Sequence, residues 1–284
     1  MTPFDYQRYL ASKRTVEQRA LNQYVWDSVI DHLRRIVKFP VRVLELGAGI
    51  GSMALRLTDE AGDLGVHYSL VESSQASLER AREGFETKNS TWKFEFFRED
   101  IYEFLRARPA ERWDVLVAHA VLDLLDLAAA IPQFLTRIKP NGYFYFPINY
   151  DGLTIFEPKV DDSFEEELLA AYHRSMDQRS VDGKPSGDSH SGRRLLSTLQ
   201  SNGAGILAAG ASDWVVFPTD GKYPADEEFF MECILQTMED ELRKVTDLDQ
   251  TRLGKWLKTR RDQLAKGELI YVAHQLDVFG AVRR

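Results

Sequence analysis

The chain has 284 residues with a formal net charge of −8 at pH 7, so it lacks the excess of Lys and Arg that duplex-binding proteins use to neutralise phosphates. Its single cysteine, Cys233, excludes an intramolecular disulfide and is in keeping with a reducing compartment. No signal-peptide pattern and no run of 18 apolar residues is present, so we expect a cytoplasmic protein without a membrane partner.

The first half of the chain alternates predicted helices and strands. Residues 16–37 carry apolar residues at helical spacing, and the run VRVLELGAG from residue 41 is typical of a buried strand that enters a tight turn. The segment Lys139–Gly142 predicts a turn before the fifth strand. The further predicted strands are 66–72, 92–100, 113–120 and 143–149, and the further helices are 52–61, 74–86, 101–109 and 127–138.

The second half mixes polar loops with longer helices. Loops are predicted at 151–162 and 180–192, which are rich in Gly, Asp, Ser and Pro. The predicted helices are 163–176, 193–201, 226–245 and 249–266, and the predicted strands are 205–218 and 268–280. This order predicts an α/β fold, a three-layer αβα sandwich with a seven-stranded, mostly parallel sheet and an antiparallel final strand. Helical insertions would form a lid over it.

The sharpest motif is a glycine-rich turn, Glu45–Gly51, between a strand and a helix. A dinucleotide site would want a third glycine at the sixth position of the motif, but Ser52 stands there and the extra glycine is Gly51. Two acids, Glu72 and Asp100, close the second and third strands. Open parallel sheets bind ligands at the carboxyl ends of their strands, so these features predict one binding crevice.

Residues 41–150 resemble the class I S-adenosylmethionine-dependent methyltransferases. VLELGAGIG is similar to their first motif, VESS and RED to their second- and third-strand acids, and KPNGYFYF to the turn and fifth strand. SDWVVFP and ELIYVAHQLDVFG are similar to the closing antiparallel pair. The resemblance implies a transferase that uses S-adenosylmethionine and releases S-adenosylhomocysteine.

The resemblance also assigns residues to the cofactor. The glycines would wrap its methionine and ribose portions, and Glu45 would hold its amino group. Glu72 would bind the ribose hydroxyls, Asp100 would meet the adenine amino group with Ile101 packed on the ring, and His119 would lie near the methionine portion. The full set is Glu45, Gly47, Ala48, Gly49, Gly51, Glu72, Ser73, Asp100, Ile101 and His119.

No linker is clear enough to divide the chain, so we expect one domain, 1–284. Its parts would be an N-terminal helical lid (1–40), a cofactor-binding core (41–150), substrate insertions (151–200 and 218–267) and closing strands (205–217 and 268–280). Tyr6, Tyr9, Lys13, Arg14 and Arg19 lie in the segment expected to cover the cofactor.

Methyl transfer to a hydroxyl or ammonium needs a general base, because the acceptor must lose a proton. The sequence leaves two candidates open: His119, and His173 paired with Asp177 four residues on along one helix face. Arg179 or Arg193 would hold a substrate carboxylate or phosphate, and Tyr150 and Tyr172 complete the expected acceptor residues.

No metal is expected to be required. The acids of the metal-dependent catechol-type enzymes are not evident, and a site of His173, Asp177, Asp188 and His190 would fit no standard ligand spacing.

We therefore predict a methyltransferase that acts on oxygen or nitrogen of a small-molecule acceptor, working as a monomer or homodimer without a nucleic-acid partner. The Asn-Pro-Pro-Tyr-type motif of many amide and adenine N-methyltransferases is absent, since the fourth strand reads VAHAVLDLLD. The alternatives are a methyltransferase for a protein or transfer RNA, a non-catalytic S-adenosylmethionine-binding protein, and an NAD-dependent oxidoreductase.

Overall fold

A mixed β-sheet organises the computed structural model, which describes residues 5–86, 91–181 and 183–282. The strands are β1 Val41–Leu46, β2 Val66–Val71, β3 Lys93–Phe97, β4 Trp113–Val117, β5 Ile138–Glu157, β6 Ser180–Val181, β7 Lys184–Pro185, β8 Ala204–Ala211, β9 Trp214–Val216 and β10 Ile270–Val282. Five parallel strands lie in the order β3-β2-β1-β4-β5. Strand β10 continues the sheet antiparallel to β5, and β8 and β9 pair with the other side of β10. The predicted fold class is confirmed.

Helices cover both faces of the parallel strands, which explains why β1 carries apolar residues on both of its faces. The helices are α1 Tyr6–Ser12, α2 Arg14–Ala20, α3 Gln23–Arg34, α4 Ser52–Ala61, α5 Gln75–Glu86, α6 Ile101–Ala107, α7 Leu127–Leu135, α8 Asp162–Asp177, α9 Ser191–Ser201, α10 Glu227–Leu242 and α11 Gln250–Ala265. Val43 belongs to a hydrophobic cluster with α3, α4 and α5, and Leu44 belongs to a second cluster, with α6, α7 and α9. A third hydrophobic cluster joins α8, α10 and α11 to the ends of β5 and β10.

The sheet has eight strands rather than the predicted seven. The predicted strand 205–218 is interrupted at Ser212 and Asp213, opposite an irregularity in β10. The amide of Ser212 donates to the carbonyl of Gln275, and the Asp213 carboxylate accepts from the amide of Gln275 and contacts His274 at 2.7 Å. These bonds stabilise the break between β8 and β9, which the pattern of apolar and polar residues in the sequence does not indicate.

The fifth strand is far longer than predicted. Residues 139–142 do not form a separate turn, because β5 already starts at Ile138. They lie where the register of β5 against β4 shifts, and Asn141 has φ +59°. The strand also runs through the first half of the predicted loop 151–162, because β10 pairs with it as far as Glu157. The predicted loop 180–192 holds the short β6–β7 hairpin and the start of α9; residue 182 lies outside the described residues.

The predicted helix 16–37 is broken between α2 and α3. The side-chain oxygen of Asn22 caps α3 by accepting from the backbone amide of Val25, and the backbone amide of Asn22 donates to the buried Asp277 at 2.9 Å. Asp277 also accepts from the amide of Ile148, a β-branched residue held at φ +60°. Burial raises the pKa of Asp277 to about 6. This carboxylate fixes the point where the N-terminal helices leave the sheet.

The helices α1 and α2 form a roof over the carboxyl ends of the strands. Arg8 pairs with Asp226 at 2.8 Å, and Arg19 pairs with the fully buried Glu227 at 2.6 Å, so both roof helices are tied to the start of α10. Residues 1–4 of the predicted lid lie outside the described residues. No helix in the described ranges combines enough length and apolarity to span a bilayer.

Candidate active site

A cavity of about 230 Å³ lies under this roof, at the carboxyl ends of β1 to β4. Its floor holds the turn after β1 and the residues that follow β2, β3 and β4, and its ceiling holds Tyr6, Leu10, Lys13 and Glu17. Of the predicted cofactor residues, those that line it are Gly47, Ala48, Gly49, Glu72, Ser73, Asp100, Ile101 and His119. One end of a parallel sheet thus collects side chains that lie far apart in the sequence.

The glycine turn has a backbone that side chains would disturb. Gly47 has φ +69°, and a Cβ there would lie 2.7 Å from Cγ2 of Val121. Gly49 also has positive φ, and Gly51, at φ +74°, caps α4 but does not line the cavity. The turn therefore brings bare backbone to the cavity wall, which suits close approach of a ligand.

Glu72 is held in place by backbone donors. Its Oε2 accepts from the amide of Gly49 and its Oε1 accepts from the amide of Ser74, both at 2.9 Å. These bonds tie the carboxylate at the end of β2 to the glycine turn. A carboxylate oxygen accepts more than one hydrogen bond, so Glu72 can also receive ligand hydroxyls.

Asp100 begins α6 and faces the cavity. Its Oδ1 accepts from the amides of Tyr102 and Glu103, at 2.8 and 3.2 Å, which leaves Oδ2 available to a ligand donor. Next to it lies Glu99, a lining residue that the sequence did not single out, paired with Arg108 at 2.8 Å. The end of the cavity beneath β3 is therefore acidic.

Glu45 does not line the cavity, contrary to the role that the resemblance implied. Its carboxyl group is buried and accepts from the hydroxyl of Tyr68 at 2.9 Å. Burial raises the pKa of Glu45 to about 8, and this effect outweighs that of the hydrogen bond from Tyr68, which lowers the pKa. The group therefore keeps its proton at neutral pH and is a poor partner for an ammonium ion.

We expect Glu45→Gln to stabilise the protein at pH 8 and to leave ligand binding unchanged. In the wild type the unfolded chain releases this proton from about pH 4.5 upward while the folded chain keeps it to about pH 8, so stability falls across that window. Glutamine mimics the protonated acid and removes the loss, which is about 4 kcal/mol for a pKa raised from 4.5 to about 8. Urea unfolding at pH 5 and pH 8 measures it. A Glu45→Gln variant that is destabilised at pH 8, or that loses affinity for S-adenosylhomocysteine, would contradict this prediction and indicate a charged Glu45.

His119 follows β4 and lies at the other end of the cavity from Asp100. Its side chain is only 10% exposed, and its Nε2 lies 3.6 Å from Oε2 of Glu17 in the roof. Burial lowers the pKa of His119, opposed by the Glu17 carboxylate. A neutral imidazole with this pKa can accept a proton near neutral pH.

The structure brings none of the predicted acceptor residues to the wall of this cavity. His173 and Tyr150 bond each other, with Nε2 and the hydroxyl 2.7 Å apart. Arg193 pairs with Asp151, with its Nε 2.8 Å from Oδ1. The predicted residues outside the cavity lining are Tyr150, Tyr172, His173, Asp177, Arg179 and Arg193.

Asp177, Asp188 and His190 come together, with ligand atoms within 4.8 Å of one another. The two carboxylates also have partners within the protein. Asp177 accepts from the amide of Ser189 at 2.8 Å, and Asp188 pairs with Arg194 at 2.9 Å. These contacts tie the loop before α9 to the end of α8 and to α9 itself.

Sequence reasoning missed Glu17 altogether. It placed Lys13 in the segment expected to cover the cofactor, without the partner that the structure gives it, Glu17, which lies 2.9 Å away in the lining of the cavity. The four-residue spacing of opposite charges was the available signal, since such pairs face each other on a helix. Nothing in the local pattern indicated that the pair is buried.

Comparison with known proteins gives one family and several similar folds. The model of a family described as "Methyltransferase domain" matches residues 40–185. A reducing polyketide synthase of Botryotinia fuckeliana is 30% identical over 104 residues, which is 36% of this chain but only 4% of that protein.

Among solved structures, YjhP from E. coli is similar with a TM-score of 0.50 and 16% identity, over 97% of this chain and 99% of that one. A SAM-dependent methyltransferase from Geobacter sulfurreducens, in complex with S-adenosyl-L-homocysteine, has a TM-score of 0.47 and 15% identity, over 94% and 93% of the two chains.

Proposed function

Since the chain belongs to the methyltransferase domain family, we propose that it transfers a methyl group from S-adenosylmethionine to an oxygen or nitrogen of a small-molecule acceptor. The chain belongs to the class I S-adenosylmethionine-dependent methyltransferase family. The activity, the nature of the acceptor, the atom methylated and the role of each residue are the proposal.

The order of the cavity residues along the sheet carries this proposal. Asp100 and Ile101 follow β3, Glu72 follows β2, the glycine turn follows β1 and His119 follows β4. Because the strands lie in the order β3-β2-β1-β4, the cavity presents these groups in a single row. The row would meet the adenine, the ribose, the methionine chain and the methyl group in turn.

The residues present fit the cofactor in charge as well as in their order along the sheet. The cavity is lined by the acids Glu17, Glu72, Glu99 and Asp100, whereas Lys13 is the one Lys or Arg among the described lining residues. S-adenosylmethionine carries a net positive charge, and its demethylated product is neutral. An acidic cavity therefore holds the donor more strongly than the product, which favours release after transfer.

When bound, S-adenosylmethionine supplies a methyl group on a positively charged sulfur that leaves as a thioether. The chain's task is to position the acceptor and to take its proton. Orientation alone can supply about 7–11 kcal/mol of the barrier reduction. We assign proton acceptance to His119, which lines the cavity with a depressed pKa.

The roof supports a small acceptor over a macromolecular one. Tyr6, Leu10, Lys13 and Glu17 cover the cavity, and the ion pairs of Arg8 and Arg19 hold α1 and α2 against α10. A folded protein or an RNA duplex would need these helices to move apart. A small hydroxyl or amine compound needs only a local opening.

Ligand-induced stabilisation tests the proposed function. S-adenosylmethionine and S-adenosylhomocysteine, each at about 100 times its dissociation constant, should raise the free energy of unfolding by about 2.7 kcal/mol. For a protein of this size that is a Tm rise of roughly 5–10 °C, measured by differential scanning fluorimetry. NAD at the same concentration should give no shift. Stabilisation by NAD alone would contradict the proposal.

A further inference from the structure

The roof of the cavity contains a buried pair of opposite charges. Lys13 lies at the junction of α1 and α2, and Glu17 lies one turn further along α2. Their side chains are 13% and 5% exposed, and Nζ lies 2.9 Å from Oε1. Both residues line the cavity, so the pair is shielded from bulk solvent and open to a ligand.

The pair lies over the part of the cavity formed by β1 and β4. Oε2 of Glu17 is 3.6 Å from Nε2 of His119, which follows β4. Leu10, one turn before Lys13, approaches Gly49 in the turn after β1, since a Cβ on that glycine would lie 3.4 Å from Cδ1 of Leu10. The adenine end assigned to Asp100 lies on the far side of β1 and β2.

The polar atoms around the pair are not fully satisfied. Nε2 of His119 is buried without a hydrogen-bond partner within the described residues, and the ammonium of Lys13, at 2.9 Å, is the one partner that these residues give to the buried Oε1 of Glu17. Buried charges are costly unless further hydrogen bonds complete their shells. This arrangement suits a ligand that brings both a cation and an anion to the same place.

We propose that Lys13 and Glu17 bind the α-amino-acid group of the cofactor, Lys13 pairing with its carboxylate and Glu17 with its ammonium. The inference rests on the proposed function and transfers to the roof the role that the resemblance implied for Glu45. Binding exchanges the ion pair within the roof for two ion pairs with the ligand. The glycine turn then holds the nucleoside side, and the roof recognises only the amino-acid tail.

Two ligands with the same nucleoside and the same kind of sulfur test this assignment. S-adenosylhomocysteine carries the α-amino-acid group, and 5′-methylthioadenosine lacks it. Lys13→Met and Glu17→Gln should each weaken S-adenosylhomocysteine binding about tenfold or more, the effect of losing one charge-assisted hydrogen bond. The affinity of both variants for 5′-methylthioadenosine should stay within about twofold of the wild type. Isothermal titration calorimetry measures all of these constants.

Arg14→Met is the matched control, because it removes a neighbouring cation from the exposed side of the same roof. It should bind both ligands as the wild type does. Lys13→Arg, which keeps the charge, should recover part of the S-adenosylhomocysteine affinity. Thermal melts without ligand show whether each variant folds.

Equal weakening of both ligands in Lys13→Met and Glu17→Gln would mean that the pair only holds the roof in place, and it would overturn the assignment. Unchanged binding of S-adenosylhomocysteine would overturn it as well. A wild-type protein that binds neither ligand would overturn the proposed function itself, before any variant is needed.

Discussion

Replacing Glu72 with alanine should weaken the binding of S-adenosylhomocysteine about a hundredfold while the protein stays folded. The carboxylate would accept both ribose hydroxyls, and two hydrogen bonds to a charged group contribute about 3 kcal/mol or more together. A hundredfold change in affinity corresponds to about 2.7 kcal/mol. The substitution also frees the turn at Gly49, which Glu72 now holds at 2.9 Å. Calorimetric titration of wild type and variant gives both constants.

Glu79→Ala is a suitable control for this measurement. Glu79 is an exposed carboxylate on α5, bonded to Gln75 and outside the cavity lining. It should leave the affinity for S-adenosylhomocysteine unchanged, which separates the position of Glu72 from a general loss of negative charge. Wild-type affinity in a folded Glu72→Ala protein would remove Glu72 from the cofactor site.

His119→Asn should lower kcat by about two to four orders of magnitude, the usual contribution of a general base. Cofactor affinity should change much less, because the glycine turn, Glu72 and Asp100 remain in place. The assay needs an acceptor, found by offering small hydroxyl and amine compounds together with S-adenosylmethionine that carries a radioactive methyl group. His67→Asn is the control, since His67 lies near the start of β2, away from the cavity.

The pH dependence of kcat/KM is an independent test of His119 as the general base. Burial lowers its pKa below the ordinary 6.5, so the neutral, proton-accepting form should dominate at pH 7. kcat/KM for the acceptor should therefore rise with pH on the acid side of 6.5 and level off above it. The His119→Asn variant should lose that rise. A folded variant with wild-type kcat would exclude His119 as the base and leave the proton to another group.

Burial of His119 also makes the free energy of unfolding depend on pH, and this dependence is opposite in sign to that of Glu45. The unfolded chain binds a proton at the histidine more readily than the folded chain, because burial disfavours the charged imidazole. Stability from this group therefore grows as pH rises toward about 6.5, and it is lost on acidification. The contribution of Glu45 runs the other way, between about pH 4.5 and 8.

Much of the candidate site followed from sequence because its parts are local. A glycine turn between a strand and a helix is visible as a motif, since positive φ at Gly47 and Gly49 favours glycine. Glu72 and Asp100 are visible as acids at strand ends. Parallel strands place all their carboxyl ends at one edge of the sheet, so these residues were bound to converge once the alternation of strands and helices was recognised.

The tertiary structure alone decided which other side chains reach the cavity. Glu17 and His119 are 102 positions apart and meet only because α2 folds back over β4. Glu45 sits within the motif, yet the hydroxyl of Tyr68 holds it away from the cavity. Charged residues of the insertion after β5 find partners on other elements as well as within it: Arg193 pairs with Asp151 of β5, and Arg194 pairs with Asp188. Local patterns specify backbone conformation, whereas the direction and burial of a side chain depend on partners distant in sequence.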